Sequence, residues 1–157
     1  MKVELVNPFL AAAINVLRTM AFTEARAAKP FIKKDKKAVG DVTGIIGITG
    51  QATGSLSITF SQRCIENVVG NMFGEKIEGI TDEVRDAVGE ITNMISGDAR
   101  RKMDEQGFNL KASIPTVISG SGHIIKHISP GPCVAIPFET DAGSFVVEVS
   151  LEEQDSG

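Results

Sequence analysis

Apolar residues recur at the three-and-four spacing of an α-helix in three stretches of the chain, and at every second position in most of the remainder. The first helical stretch runs from Pro8 to Phe22, with Asn7 as its expected N-cap. A shorter one runs from Gln62 to Phe73 and is bounded by a capping Ser61 and by Gly74. The predicted inward positions of the first helix are Phe9, Ala13, Val16, Leu17 and Met20, and those of the second are Ile65, Val68, Val69, Met72 and Phe73.

The third helical stretch is the longest, and it begins after a capping Thr81 and ends before Gly107. Asp82 and Glu83 in its first turn complement the helix dipole. One side of this helix is apolar, which predicts that it packs against a core. The apolar stripe consists of Val84, Ala87, Val88, Ile91, Met94, Ile95 and Ala99.

The alternating stretches predict strands that pair as hairpins. Residues 41–60 read as one hairpin, and a loop at residues 141–143 joins the last two strands into another. Residues 24–37 predict a strand running into a solvated, lysine-rich edge, and residues 152–157 a frayed tail. In the strand-like last third, three sets of residues are each predicted to share one strand face: Leu110, Ala112, Ile114, Thr116 and Ile118; Val134, Ile136 and Phe138; and Phe145, Val147, Val149 and Leu151. Helices mixed with sequential hairpins predict an α+β fold in a single domain spanning residues 1–157.

Composition narrows the function classes. The chain has 157 residues and a net charge of −4, with eight Phe and neither Trp nor Tyr, so it is a poor candidate for nucleic-acid binding. No apolar run is long enough for a membrane span, and Glu4 and Arg18 weigh against reading the first helix as a signal peptide. Cys64 and Cys133 are expected to be reduced, buried thiols, which fits a cytoplasmic protein.

Two further patterns carry weak chemical signals. The glycines between residues 40 and 54 lack the lysine of a phosphate-binding loop, so they predict turns and a closely approached strand. His123 and His127 have the spacing of a metal pair, but no third ligand is evident nearby, so no metal site is predicted.

The polar face of the long helix is the most informative feature. Glu90 and Asn93 stand one turn apart on the same side. Gly89 and Gly97 flank Asn93, and each costs about 1 kcal/mol relative to Ala inside a helix. Their effect is to clear side chains from around one amide and one carboxylate, which favours a face that approaches another protein over a simple solvated surface. The full polar face consists of Asp82, Asp86, Gly89, Glu90, Asn93, Gly97 and Arg100.

This helix resembles the signature helix of the CheC/CheX/FliY phosphatases, the CheX branch in particular. The similarity extends from about Phe9 to Glu153, and four ordered segments together are far more specific than a bare E-x-x-N. The segments are 82–97 (DEVRDAVGEITNMISG), 41–47 (DVTGIIG), 114–118 (IPTVI) and 136–140 (IPFET). The resemblance implies a CheC-like fold, with two long helices and a short extra helix packed on a mainly antiparallel sheet.

The resemblance also implies an activity, hydrolysis of the aspartyl phosphate of a CheY-like response regulator. It implies that Asn93 orients the attacking water and that Glu90 pairs with the regulator's active-site Lys. Mg²⁺ would be supplied in the partner's active site, so the chain needs no cofactor or metal of its own. The implied partner-binding residues are Asp86, Gly89, Gly97 and Arg100.

The resemblance also bears on the number of sites per chain, on the oligomeric state and on an alternative function. The CheC branch carries E-x-x-N twice, whereas the first helix here has Ala12 and Asn15 at that spacing, so one site per chain is expected. The CheX branch is dimeric through edge strands, which implies a homodimer with two sites. The alternative is a non-catalytic dimeric module that binds a receiver domain or a flagellar switch component through the same face.

Overall fold

The computed structural model describes residues 3–35, 38–120, 123 and 132–153, with the backbone only at residues 3 and 4. The described residues form three helices, α1 (Val3–Ala21), α2 (Gln62–Phe73) and α3 (Asp82–Glu105). Its eight strands are β1 (Arg26–Ala27), β2 (Phe31–Lys33), β3 (Val42–Gly50), β4 (Ala52–Phe60), β5 (Leu110–Ala112), β6 (Thr116–Ser119), β7 (Cys133–Thr140) and β8 (Gly143–Glu153). The predicted α+β class is confirmed.

The strands form one antiparallel sheet in the order β1-β7-β8-β4-β3-β5, with β2 also paired to β7 and β6 also paired to β3. The predicted hairpins β3–β4 and β7–β8 are both present. The apolar residues on one face of these strands pack beneath the helices and form the core. This sandwich of helices on a sheet holds α3 against β3, which positions the candidate site.

The caps of the two later helices follow the sequence pattern. The side chain of Ser61 accepts a hydrogen bond from the Cys64 backbone at the start of α2, and Gly74 adopts a left-handed φ of 69° at its end. Thr81 accepts in the same way from the Val84 backbone at the start of α3. The predicted inward side of α2 is confirmed except at its end, where Phe73 is 47% exposed.

The first helix differs from its prediction at both ends. It is already helical at Val3, so Asn7 lies inside it and is not its N-cap. Pro8 removes only one backbone hydrogen bond this close to the helix start, and burial of Leu5 and Val6 in the core favours the extra turn. Met20, predicted to point inward, is 45% exposed because the helix ends one residue later.

The prediction that the alternate residues from Leu110 to Ile118 share one strand face is wrong. Opposite β3, Ile48 pairs with Ala112 and Ile45 pairs with Thr116, so the edge carries one residue more than β3 does between these pairs. This β-bulge breaks the alternation, because one inserted residue turns every later side chain to the other face of the sheet. Thr116 and Ile118 therefore face away from the side that Leu110 and Ala112 occupy, and Ile114 in the bulge is 87% exposed.

The sheet face away from the helices is more buried than the sequence indicates. The predicted solvated lysine edge is wrong at Lys33, whose ammonium lies 2.9 Å from Glu148 on β8, with both side chains almost fully buried. The hydroxyl residues of β4, predicted as the polar half of an alternating strand, are also buried, and Thr59 lies 2.7 Å from Thr43 through their hydroxyl oxygens. A partner distant in sequence pairs with Lys33, so local composition does not reveal it.

The tail prediction is wrong at its start, because Glu152 and Glu153 pair with β4 as the last residues of β8. Residues 154–157 lie outside the described part of the chain, as do Lys36 and Lys37 of the predicted basic edge. None of the described helices combines the length and apolar character that crossing a membrane would require.

Candidate active site

The outer face of α3 presents Glu90 and Asn93 to solvent. The predicted apolar stripe of this helix is buried against the core, with Met94 partly exposed at its margin. Because that stripe faces inward, Glu90 and Asn93 face outward, and both are exposed. Residues three apart on a helix are neighbours on its surface, so the two side chains project from one spot.

Both side chains are available to a partner. Within the described part of the chain, neither Glu90 nor Asn93 uses its side chain in a hydrogen bond or ion pair. A carboxamide carries both donor and acceptor atoms, and a carboxylate carries only acceptors. The pair can therefore hold a water through two contacts and accept from a cation at the same time.

Thr92, immediately before Asn93, packs closely against the sheet. Its side chain is fully buried, and its hydroxyl donates to the backbone oxygen of Val88 at 2.7 Å. Beneath it lies Gly44 of β3, where an added Cβ would overlap the Thr92 hydroxyl oxygen. The predicted close approach at a glycine of β3 is thus present, directly below the candidate site.

The two glycines of the polar face have different surroundings. A Cβ added at Gly89 would lie 3.6 Å from Val117 and 4.0 Å from Pro115, so Gly89 rests against the β6 edge and is only partly exposed. A Cβ at Gly97 would lie 3.9 Å from the Nη2 of Arg100. The prediction that both glycines clear the surface around Asn93 therefore needs correction at Gly89, because Val117 and Pro115 cover part of it.

The remaining residues of the face are partly engaged. Arg100 donates through its Nε to the buried Ser96 hydroxyl at 3.2 Å, which lays its side chain along the helix. Asp86 is exposed. Arg85, which the sequence reading did not select, donates to Ser119 at 3.1 Å and to Asp82 at 2.7 Å. These last contacts tie the first turns of α3 to β6.

A groove runs between α1 and α3 beside Gly97, with a volume of about 350 Å³. Met20 and Met94 line it together with polar residues. This groove was not predicted from the sequence, because Met20 was expected to lie in the core. The full lining consists of Asn15, Val16, Thr19, Met20, Met94, Gly97, Asp98 and Arg101.

The other candidate groups lack the properties of a second catalytic centre. Burial raises the pKa of the Cys64 thiol to about 11, and burial together with the nearby Glu148 carboxylate raises the pKa of Cys133 to about 12. Both thiols are free and protonated at neutral pH, so they are poor nucleophiles. Cys133 is only partly buried, unlike the prediction.

His123 has both ring nitrogens engaged. Its Nδ1 lies 2.6 Å from the carbonyl oxygen of Gly120 and therefore donates to it, and its Nε2 lies 2.5 Å from the Thr43 hydroxyl. His127 lies outside the described residues. Across residues 3–35, 38–120, 123 and 132–153, no three side chains of the metal-binding types come together.

On α1, the positions that match Glu90 and Asn93 in spacing are built differently. Ala12 is fully buried, and the Asn15 amide oxygen accepts from Arg18 at 3.4 Å. The helix therefore has neither the carboxylate nor a disengaged amide.

Comparisons with known proteins identify the family of the chain. Residues 42–139 match the family described as chemotaxis phosphatase CheX. The chain is 30% identical over 127 residues to the CheY-P phosphatase CheX of Thermotoga maritima, covering 80% of this chain and 82% of that one.

Two solved structures extend the comparison. The chemotaxis protein CheX from Vibrio vulnificus is 46% identical, with a TM-score of 0.90 over 96% of this chain and all of that one. The CheX–CheY–BeF3–Mg²⁺ complex from Borrelia burgdorferi includes a chain 24% identical, with a TM-score of 0.82 over 97% of this chain and all of that one, which shows the same fold.

Proposed function

The chain belongs to the CheX family of chemotaxis phosphatases, and from that premise we propose that it hydrolyses the aspartyl phosphate of a CheY-like response regulator. Glu90 and Asn93 of α3 are the residues that act on the phosphorylated partner. The observation that carries the proposal is the outward, disengaged pair of carboxylate and carboxamide on one turn of a rigidly packed helix.

The proposed reaction requires positioning more than strong acid or base groups. The oxygen of a water attacks phosphorus in line with the acyl oxygen, the phosphorus–acyl oxygen bond breaks, and the products are the free aspartate and inorganic phosphate. Such transfers are catalysed mainly by alignment and by electrostatic stabilisation. In the proposal Asn93 holds that water through its amide, and Glu90 pairs with the regulator's active-site Lys, which fixes where α3 docks.

The remaining components belong to the partner. The regulator brings the phosphorylated aspartate and a bound Mg²⁺, which neutralises charge on the phosphoryl oxygens. The chain itself then needs to present a rigid, uncluttered helix face. Asp86, Gly89, Gly97 and Arg100 surround the pair on α3 and form the proposed docking face.

The decisive measurement is loss of phosphate from a purified phospho-regulator of the source organism. The wild-type chain should accelerate it, and Asn93→Ala should lose about 10²–10³ of the acceleration, because a single positioned polar group supplies effects of that size. The matched control is Asn15→Ala, the same change on α1, which should keep the wild-type rate. Equal rates for Asn93→Ala and wild type would contradict the proposed mechanism.

The same panel separates catalysis from binding alone. A chain that binds the phospho-regulator without accelerating phosphate loss would be the non-catalytic module instead. We also propose a homodimer with one site in each chain, formed through edge strands. Light scattering of the purified protein tests it, and a monomer at all concentrations would contradict it.

A further inference from the structure

A tight contact between the sheet and α3 lies directly under the candidate site. At Gly44 the strand β3 passes beneath α3, and an added Cβ would overlap the Thr92 hydroxyl oxygen while lying 3.1 Å from Thr92 Cβ and 3.2 Å from Val88 Cγ1. The backbone of Gly44 is not in a left-handed conformation. This position therefore requires glycine for the space above it and not for its dihedral angles.

The atom facing Gly44 has little freedom to move. Thr92 is fully buried, and its hydroxyl is held by a 2.7 Å hydrogen bond to the Val88 backbone oxygen. A threonine in a helix has only two χ1 rotamers, and the Cβ of Thr92, 3.1 Å from the added atom, moves only with the helix backbone. A side chain at position 44 would therefore move the helix as a whole, because the threonine cannot simply turn away.

The helix is confined at this level on a second side as well. Arg85 of α3 donates to Ser119 of β6 at 3.1 Å, and Gly89, one turn before Asn93, faces Val117 of the same strand. The strand below and the bulged edge beside it together set the height and rotation of α3. Asn93 follows Thr92 directly, so any displacement at Thr92 is transmitted to the amide.

We infer that Gly44 is a positioning residue for Asn93: by letting β3 contact Thr92, it sets the height at which α3 presents the carboxamide. This inference rests on the proposed function. A displacement of about 1 Å at a reacting group can lower a rate by roughly 10²-fold. Gly44 itself is buried under the helix, so a docked partner would not reach it.

The test is Gly44→Ala, assayed with the phospho-regulator at a temperature well below its unfolding midpoint. We expect the rate at saturating regulator to fall by about tenfold to 10²-fold, and KM to change by less than about threefold, because Glu90 and the docking face remain. Ile136→Val, a buried change on β7, controls for lost stability alone and should keep the wild-type rate.

A double variant supplies the specific signature. Thr92→Ala removes the oxygen that the new Cβ would overlap, so Gly44→Ala/Thr92→Ala should recover most of the rate that Gly44→Ala loses, relative to Thr92→Ala alone. The Asn93 side-chain amide resonances should shift in the single Gly44 variant and return toward their Thr92→Ala positions in the double variant. Because all these variants are assayed well below their unfolding midpoints, a lower folded fraction cannot account for either change.

The outcomes distinguish this inference from the function it rests on. If the wild type accelerates phosphate loss and Gly44→Ala matches it within twofold, the positioning role is wrong, as it is if the double variant is no faster than Gly44→Ala. If the wild type accelerates nothing, the proposed function fails. The Asn93 resonances then still decide the positioning role, since their reversal supports it and unchanged resonances in Gly44→Ala overturn it.

Discussion

The two long helices lie side by side, but a pair of positions three residues apart is exposed to solvent on α3 and is not on α1. On α3, Glu90 and Asn93 are exposed and disengaged, whereas on α1 the corresponding Ala12 is fully buried and Asn15 accepts from Arg18. A second groove, near the start of α1, is lined by Asn7 and Pro8 of α1 and by Lys102 and Glu105 near the end of α3, so the helices run antiparallel. The contrast shows that a carboxylate and an amide three residues apart can form a site only if both positions of the helix face away from the core.

The largest expected effect comes from introducing the E-x-x-N pattern of α3 into α1. Ala12→Glu would create the E-x-x-N spacing, but its carboxylate would enter a fully buried position. An uncompensated buried charge is strongly destabilising, so we expect a loss of about 3–5 kcal/mol in the free energy of unfolding and no second active site. Urea denaturation measures the first and the phosphate-loss assay the second.

The neighbouring Ala11→Glu is the matched control, because Ala11 is only partly buried and lines the groove near the start of α1. It should cost much less stability. An Ala12→Glu variant as stable as the wild type would contradict the proposed difference between the helices, because it would mean that α1 can rotate to expose residue 12.

A smaller effect is expected from Glu90→Gln, which keeps the shape of the side chain and removes its charge. If Glu90 pairs with a lysine of the regulator, KM should rise about tenfold or more, because truncating one member of a desolvated charge pair weakens binding substantially. Glu105→Gln, at the other end of the same helix, is the control and should leave KM unchanged. Equal KM values for the two variants would argue against the docking role.

The contrast between the helices also explains which features could be predicted from sequence. The caps, the apolar stripe and the outward pair of α3 follow from residues within one or two turns of each other, so Thr81, Glu90 and Asn93 were placed correctly. The strand pairs β3–β4 and β7–β8 were likewise predictable, because alternation and a short turn are local signals.

Features set by contacts between distant segments were not predictable. Lys33 was misplaced because its partner Glu148 is on another strand, and Ile114 because a single bulged residue reversed the alternation along the edge. The contact of Gly44 with Thr92 is indicated in the sequence only by a glycine inside a strand. Such a glycine suggests that another segment approaches the strand closely, but it does not identify the residue that does so.

The smallest expected effect concerns the glycine content of the two helices. α3 contains glycines and α1 contains none. At Gly97 an added Cβ makes an ordinary 3.9 Å contact with Arg100, so Gly97→Ala should raise the free energy of unfolding by about 1 kcal/mol through helix propensity.

The glycine would then be retained for docking and not for the fold, and a larger side chain there should obstruct the partner. Gly97→Leu should therefore raise KM for the phospho-regulator while the protein stays at least as stable as the wild type in urea. Gly89 is unsuitable for the same test, because a leucine there would also press on Val117 and disturb the fold. A Gly97→Leu variant with unchanged KM would place the docking face elsewhere on α3, on the side of Gly89 and β6.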